Sequence, residues 1–155
     1  MQLARSSEKV RRFLSDYSIP VESVELNEST RTSQMAADAL GCSVAQIAKS
    51  IVFVNHKAAV VVISGDRRVD DKKLSKILGH KVYIADADAV RKYTGYVIGG
   101  VPPFPHNEGV VVFLDSSLLR FEEVWTAAGT PNSVFKISVE ALRRTLGTDF
   151  VEISK

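Results

Sequence analysis

Hydrophobic residues recur at helical spacing near the N-terminus, where Val10, Phe13, Leu14 and Tyr17 fall three and four positions apart. This spacing predicts an amphipathic helix over residues 7–17. Three later segments each run from a side chain that can cap a helix to a Leu-Gly pair, and glycine readily adopts the left-handed conformation that ends helices. We expect these helices over residues 34–40, 71–78 and 139–146, capped by Ser33, Asp70 and Ser138.

Two shorter helices are predicted from local signals. A helix begins at Asp86 or Asp88, since either carboxylate can accept hydrogen bonds from free amides. Residues 43–48 form a second short helix of mixed polarity, which places Lys49 at the entrance of the apolar strand that follows.

Runs rich in β-branched and aromatic residues separate the helices and predict strands. They are residues 21–26, 51–55, 58–64, 81–84, 110–114, 123–126, 134–137 and 150–153. The second and third runs are joined by only a few residues around His56, which predicts an antiparallel hairpin. Residues 60–63 and 110–114 are continuously apolar, so both faces of those strands should be covered. The pattern predicts one α+β domain over residues 1–155, with a central mixed, mostly antiparallel sheet or barrel surrounded by helices.

Composition narrows the class of protein without naming a function. The chain has 155 residues, 45% of them hydrophobic and 25% charged, which fits one globular domain. The longest apolar run, residues 58–63, is far shorter than the roughly 18 residues that a membrane span requires. The polar N-terminal segment does not resemble a signal peptide, so we expect a cytoplasmic protein with no membrane partner. The single cysteine, Cys42, excludes an internal disulfide and a multi-cysteine zinc site.

Residues 95–106 form the most unusual segment, with three glycines and three prolines in the sequence GYVIGGVPPFPH. Gly99 and Gly100 allow the backbone to approach a ligand closely, while the prolines fix φ and stiffen the loop. The segment is either a binding loop or a plain structural turn. It is neither a dinucleotide-binding fingerprint nor a phosphate-binding P-loop, because the glycine spacing differs and no Lys-Ser or Lys-Thr pair follows.

Other residues have both a chemical and a structural interpretation. Lys49 could stabilise a developing oxyanion in a cleft, although a surface lysine is the commoner case. His106 follows the glycine-proline loop and could reach the same site, although a solvated loop histidine is the commoner case. His56 and His80 form no metal-binding pattern with it. Cys42 is best explained as a small packed hydrophobic residue.

A basic stretch also has two interpretations. It could contact the phosphate backbone of a nucleic acid, but we favour a solvated helix face. Its residues are Arg67, Arg68, Lys72, Lys73, Lys76 and Lys81.

Four segments, taken together, resemble the YbaK/ProX-type aminoacyl-tRNA deacylases, a family also found as an editing insertion in bacterial prolyl-tRNA synthetases. They are Lys49 within the sequence IAKSIVF, residues 31–41, residues 95–103 and the strand sequence VFLD that ends at Asp115. The segments occur in the family's order and span nearly the whole chain.

The resemblance implies a free-standing editing hydrolase that cleaves the ester of mischarged aminoacyl-tRNA without a metal or other cofactor. Lys49, Gly99 and Gly100 match the family's catalytic positions. The implied substrate-binding residues are Thr32, Ser50, Val101, Pro102, Asp115 and Gly129. Residues 128–132 depart from the glycine- and basic-rich form of the cysteinyl-tRNA-specific branch, so that specificity is not transferred.

The expected substrate is a small amino acid, such as alanine, serine or threonine, on tRNA-Pro or a similar tRNA. Expected partners are the aminoacyl-tRNA itself and a synthetase, prolyl-tRNA synthetase in particular, or an elongation factor that selects the tRNA. Two alternatives stay open: a non-catalytic module of the same fold that binds tRNA or a synthetase, and a small-molecule-binding protein that uses the same cleft.

Overall fold

Four of the described α-helices begin at a side-chain cap and end at a glycine. The computed structural model describes residues 2–26 and 32–155, so Arg31 of the segment discussed above lies outside the described residues. Asp70 accepts hydrogen bonds from the N–H groups of Lys72 and Lys73 and starts one helix, and Ser138 caps another. The five α-helices of the described residues are α1 Gln2–Asp16, α2 Ser33–Leu40, α3 Asp71–Leu78, α4 Ala87–Thr94 and α5 Val139–Leu146.

Two of the helix predictions are corrected. Thr32, not Ser33, caps α2, because its Oγ1 accepts from the N–H of Met35 at 3.1 Å. Residues 43–48 form only a 3₁₀ turn, Val44–Gln46, after which the chain enters a strand. Pairing with two neighbouring strands overrides the weak local helix signal there.

The starts of two other helices are also settled. Of the two candidate caps for α4, Asp86 is the cap and Asp88 is not. Helix α1 begins at Gln2, earlier than its periodicity predicted.

All eight predicted strands are present, most with shifted ends. They are β1 Glu22–Glu25, β2 Ile47–Asn55, β3 Lys57–Ser64, β4 Tyr83–Ile84, β5 Val111–Asp115, β6 Glu123–Ala127, β7 Ser133–Ser138 and β8 Phe150–Val151. They form one mixed sheet in the order β1-β7-β6-β2-β3-β5-β8, and β4 pairs separately with β2. The sheet has β1 and β8 at its two ends, so the alternative of a closed barrel is wrong.

Strand β3 runs through the middle of the core. All of its residues after Lys57 are buried, as its continuous apolar sequence predicted. Val60 and Val62 contact one cluster that includes α1, while Val61 and Ile63 contact a second cluster around Leu74 of α3. The same prediction for β5 is wrong at its start: Val111 is 44% exposed. Strand β8 pairs only with the last two residues of β5, which leaves the beginning of β5 at the sheet edge.

No helix among the described residues is both long enough and apolar enough to cross a lipid bilayer.

Asp115 ties the end of β5 to two other segments. It is fully buried, and its carboxylate accepts hydrogen bonds from the N–H groups of Ser117 at 2.9 Å and Ile153 at 2.8 Å. Because removing this acceptor leaves two buried N–H groups unpaired, Asp115→Ala should lower the free energy of unfolding by about 2 to 4 kcal/mol. Urea denaturation measures this change. The exposed Asp88→Ala variant should change stability by less than about 0.5 kcal/mol, and an equally small effect at Asp115 would refute this structural role.

Candidate functional site

A split in the sheet creates the site. Strand β6 pairs in parallel with Ile47 and Ala48 at the beginning of β2, whereas β4 pairs with Phe53 and Val54 near its end. Residues 49–51 lie between these two partners, on the edge of β2 opposite β3. The chain therefore presents the middle of a central strand to a cleft rather than to another strand.

The cleft has a volume of about 580 Å³, within the range of roughly 300 to 1,000 Å³ typical of small-ligand sites. Its base is residues 47–51 of β2, and β6 forms one side. The glycine-proline loop supplies Ile98, Gly99 and Val101, and the start of α2 supplies Thr32. Residues 65–68, which follow β3, complete the wall. Segments distant in sequence thus meet at the split in the sheet.

Lys49 lies in this lining as a half-buried cation. Within the described residues its ammonium group makes neither an ion pair nor a hydrogen bond. Burial lowers the pKa of Lys49, the nearby Arg68 lowers it further, and Asp66 partly offsets both effects. The side chain is therefore a cation held in a partly desolvated place, where a developing negative charge would be strongly stabilised.

Asp66 does not neutralise this cationic wall, because its carboxylate is already engaged. Arg120 donates two hydrogen bonds to it, at 2.7 and 3.0 Å, and Arg67 lies 3.7 Å away. Arg120 holds the pKa of Asp66 below its usual range. Arg68 has no ion-pair partner among the described residues, so the mouth of the cleft is electropositive.

The two glycines of the loop have different tasks. Gly99 is exposed, has φ +85°, and its N–H makes no hydrogen bond within the described residues; the same is true of the N–H of Val101. Gly100 is buried, and its N–H already donates to the carbonyl of Val97 at 2.9 Å. A Cβ at Gly100 would lie 2.8 Å from the backbone of Thr130, so only glycine fits this contact. Gly99 can therefore donate to a ligand, whereas Gly100 holds the loop against the β6–β7 connection.

A buried polar cluster behind the loop fixes its far end. Tyr96 donates its hydroxyl hydrogen to the carbonyl of Pro105, and His106 Nε2 lies 2.8 Å from the carbonyl of Pro102. The rings of Tyr96 and His106 meet edge to face. Burial lowers the pKa of His106. Neither interpretation of His106 agrees with this position: the residue is partly buried rather than solvated, and it lies outside the lining of the cleft, behind the loop that it positions.

The predicted site residues therefore divide into two groups. Lys49, Gly99, Thr32, Ser50 and Val101 line one cleft. Four other predicted residues lie outside that lining: Gly100, Pro102, Asp115 and Gly129.

The residues of the second group contact other parts of the protein rather than the cleft. Pro102 is buried and its carbonyl lies beside His106, while Asp115 bonds only to backbone N–H groups. Gly129 packs on α1, since a Cβ there would lie 2.5 Å from the carbonyl oxygen of Ser6. The predicted contact of these four residues with a substrate stays a prediction.

Sequence reasoning missed several residues of the lining. Arg67 and Arg68 belong to the basic stretch assigned to a solvated helix face, yet they precede α3 and border the cleft. Thr126 of β6 was not singled out, because its place beside β2 depends on a parallel pairing that no local pattern signals. Cys42 packs in a small cluster beside α2, and burial raises its pKa.

In residues 2–26 and 32–155, no group of three or more His, Cys, Asp or Glu side chains is arranged to hold a metal ion.

A second, more open groove of about 640 Å³ runs along α1 past Glu8, Arg12 and Phe13. Glu8 there pairs with Arg11 and Arg12.

Comparison with known proteins identifies relatives over nearly the whole chain. A family model described as an aminoacyl-tRNA editing domain matches residues 27–145. The chain is 33% identical to the uncharacterized protein YwhH of Bacillus subtilis over 139 residues, 88% of each protein. It is 26% identical to EbsC of Enterococcus faecalis, named as a candidate Cys-tRNA(Pro)/Cys-tRNA(Cys) deacylase, over 92% of this chain and 90% of EbsC. A crystal structure described as a candidate trans-editing enzyme for prolyl-tRNA synthetase superposes with a TM-score of 0.88 at 37% identity, covering 97% of each chain.

The contrast between the two loop glycines is testable. Gly100→Ala forces a Cβ into the backbone of Thr130, so it should displace the loop and destabilise the protein by about 1 to 3 kcal/mol. Gly99→Ala meets only Pro131 Cβ at 3.9 Å, so its cost is the backbone strain at positive φ, about 1 kcal/mol. Thermal unfolding of both variants measures the difference. Equal stability losses would contradict the assignment of Gly100 to packing and Gly99 to the cleft surface.

Proposed function

This chain belongs to the aminoacyl-tRNA editing domain family, and from that premise we propose that it hydrolyses the ester joining a wrongly attached amino acid to the 3′ end of a tRNA. The observation that carries the proposal is Lys49, a half-buried cation without an ion-pair partner in the described residues, in a cleft bordered by free N–H groups. This combination suits an ester carbonyl whose oxygen becomes negative during reaction.

The reaction requires little from the protein. A water molecule attacks the ester carbonyl carbon, the bond to the ribose oxygen breaks, and a proton from water ends on that oxygen. The N–H groups of Gly99 and Val101 and the ammonium of Lys49 stabilise the charge on the carbonyl oxygen. Because the aminoacyl ester is already activated, attack by water suffices, and we assign no protein nucleophile to the reaction.

The tRNA end enters from the electropositive mouth. Arg67 and Arg68 lie where they can contact phosphates of the single-stranded 3′ end, and Ile98, 56% exposed, offers an apolar surface to the terminal base. The net charge of +2 is small for a protein that reads a whole tRNA. We therefore propose that a synthetase or an elongation factor supplies part of the tRNA selection.

A prolyl-tRNA acceptor is the proposed context. The solved relative is described as acting for prolyl-tRNA synthetase, and EbsC is named for Cys-tRNA(Pro). A synthetase pocket discriminates by only about 1 to 3 kcal/mol per methylene, so small amino acids are mischarged and must be removed elsewhere. The lining residues Ala36, Ala48 and Ala127 are small, which suits a small acyl group. Cysteine specificity is not proposed, because residues 128–132 differ from the cysteinyl-specific form.

Replacement of Lys49 tests the proposal. Lys49→Ala and Lys49→Met should lower the rate of deacylation of a mischarged tRNA roughly 10²- to 10³-fold, the usual effect of losing one electrostatic donor. Both variants should fold, since burial already disfavours the ammonium and Lys49→Met keeps the apolar stem. Single-turnover hydrolysis measures the rate. Lys72→Ala, which removes an exposed lysine of α3, is the matched control and should retain the full rate.

The remaining outcomes separate the alternatives. An unchanged rate in Lys49→Ala would exclude this lysine from the mechanism. If the wild-type protein binds acylated tRNA but does not release the amino acid, it is a binding module of the same fold.

A further inference from the structure

Two buried hydroxyl groups belong to the cleft without any protein partner. Ser50 Oγ and Thr126 Oγ1 are shielded from solvent and make no hydrogen bond within residues 2–26 and 32–155. Both residues line the cleft, and Thr126 is only 1% exposed. Buried polar groups in folded proteins are nearly always hydrogen-bonded, so two exceptions in one cleft call for a ligand that completes them.

The register of the sheet brings the two hydroxyls to the same face. Strand β6 pairs Thr126 with Ala48, and the alternation of β2 puts Ser50 on the same side as Ala48. Ser50 and Thr126 are therefore diagonal neighbours, about 4.8 Å apart across the strands and about 6.6 Å along them. Ala48 neighbours both residues on this face, and its side chain is a single carbon. A small polar group in the cleft between Ser50 and Thr126, on the edge of β2 away from β3, is within reach of both hydroxyls.

Their surroundings favour an uncharged partner. The neighbouring lining is apolar and includes Val101 and Val134. An ammonium group would be poorly compensated there, because the one carboxylate in the described lining, that of Asp66, is already bound to Arg120. A hydroxyl group can donate to one neighbour and accept from the other, and it has no charge to desolvate.

We propose that Ser50 and Thr126 are specificity-determining residues that select an acyl group with a side-chain hydroxyl, serine or threonine, over alanine. This inference rests on the proposed editing function. It follows from the asymmetry of hydrogen bonding: a site built to bond a hydroxyl discriminates strongly against an analogue that lacks it, since the buried partners are then left unpaired.

The test compares Ser-tRNA and Ala-tRNA prepared on the same tRNA-Pro. The wild-type protein should show a kcat/KM for the seryl substrate at least roughly 10-fold above that for the alanyl substrate. Ser50→Ala and Thr126→Val should each reduce this ratio by roughly 3- to 10-fold, the factor that one neutral hydrogen bond contributes. Thermal unfolding should show that Thr126→Val is at least as stable as the wild type, because it removes an unpaired buried hydroxyl without changing shape.

Ser64 provides the matched control. Its Oγ is also buried and unpaired within the described residues, and it pairs with Ala48 from the opposite side, on β3. Ser64 does not line the cleft. Ser64→Ala should therefore leave the ratio of seryl to alanyl hydrolysis unchanged.

The outcomes separate this inference from the function on which it rests. Hydrolysis of both substrates with the same ratio in Ser50→Ala, Thr126→Val and wild type would overturn the selection by hydroxyls while leaving the editing activity intact. Faster wild-type hydrolysis of the alanyl substrate would do the same. If the wild-type protein hydrolyses none of the seryl-, threonyl-, alanyl- and cysteinyl-tRNA substrates, the proposed function itself is overturned.

Discussion

The site depends on one constraint of the sheet: two different strands share one edge of β2. Strand β6 pairs with Ile47 and Ala48 at the beginning of β2, and β4 pairs with Phe53 and Val54 near the end of β2. The middle of β2 is therefore held rigidly by β3 on one edge while the other edge opens to a cleft. A side chain on such a strand is positioned more accurately than one on a loop, which is what an electrostatic role for Lys49 requires.

The polar groups that are unpaired in this cleft contrast with those that are paired around it. Asp115 and Asp66 have their carboxylates occupied by neighbouring donors, and they fix the end of β5 and the segment before α3. Ser50 and Thr126 have no such partners in the part of the chain that the structure describes. An arrangement of this kind costs stability locally and is retained where a ligand supplies the missing interactions.

The sequence predicted what local chemistry determines. Side-chain caps and terminal glycines predicted the exact bounds of α3 and α5, and the short connection around His56 predicted the hairpin of β2 and β3. The helix predicted at residues 43–48 failed because pairing with β3 and β6 outweighs a weak local preference. Thr126, Arg67 and Arg68 could not be assigned to the site from sequence, because a parallel contact between distant strands and the direction of a turn bring them there. The resemblance located Lys49 and the loop, but it did not separate Gly99, which faces the cleft, from Gly100, which packs.

The most direct test of the account is to find where the 3′ end of an aminoacyl-tRNA binds. Titration of ¹⁵N-labelled protein with a stable amide analogue of 3′-aminoacyl adenosine, followed by NMR, locates that surface without relying on catalysis. The account predicts saturable chemical-shift changes centred on Lys49, Ser50, Gly99, Val101 and Thr126, with no comparable change in the groove along α1. Changes confined to the α1 groove, or no saturable change anywhere, would contradict it.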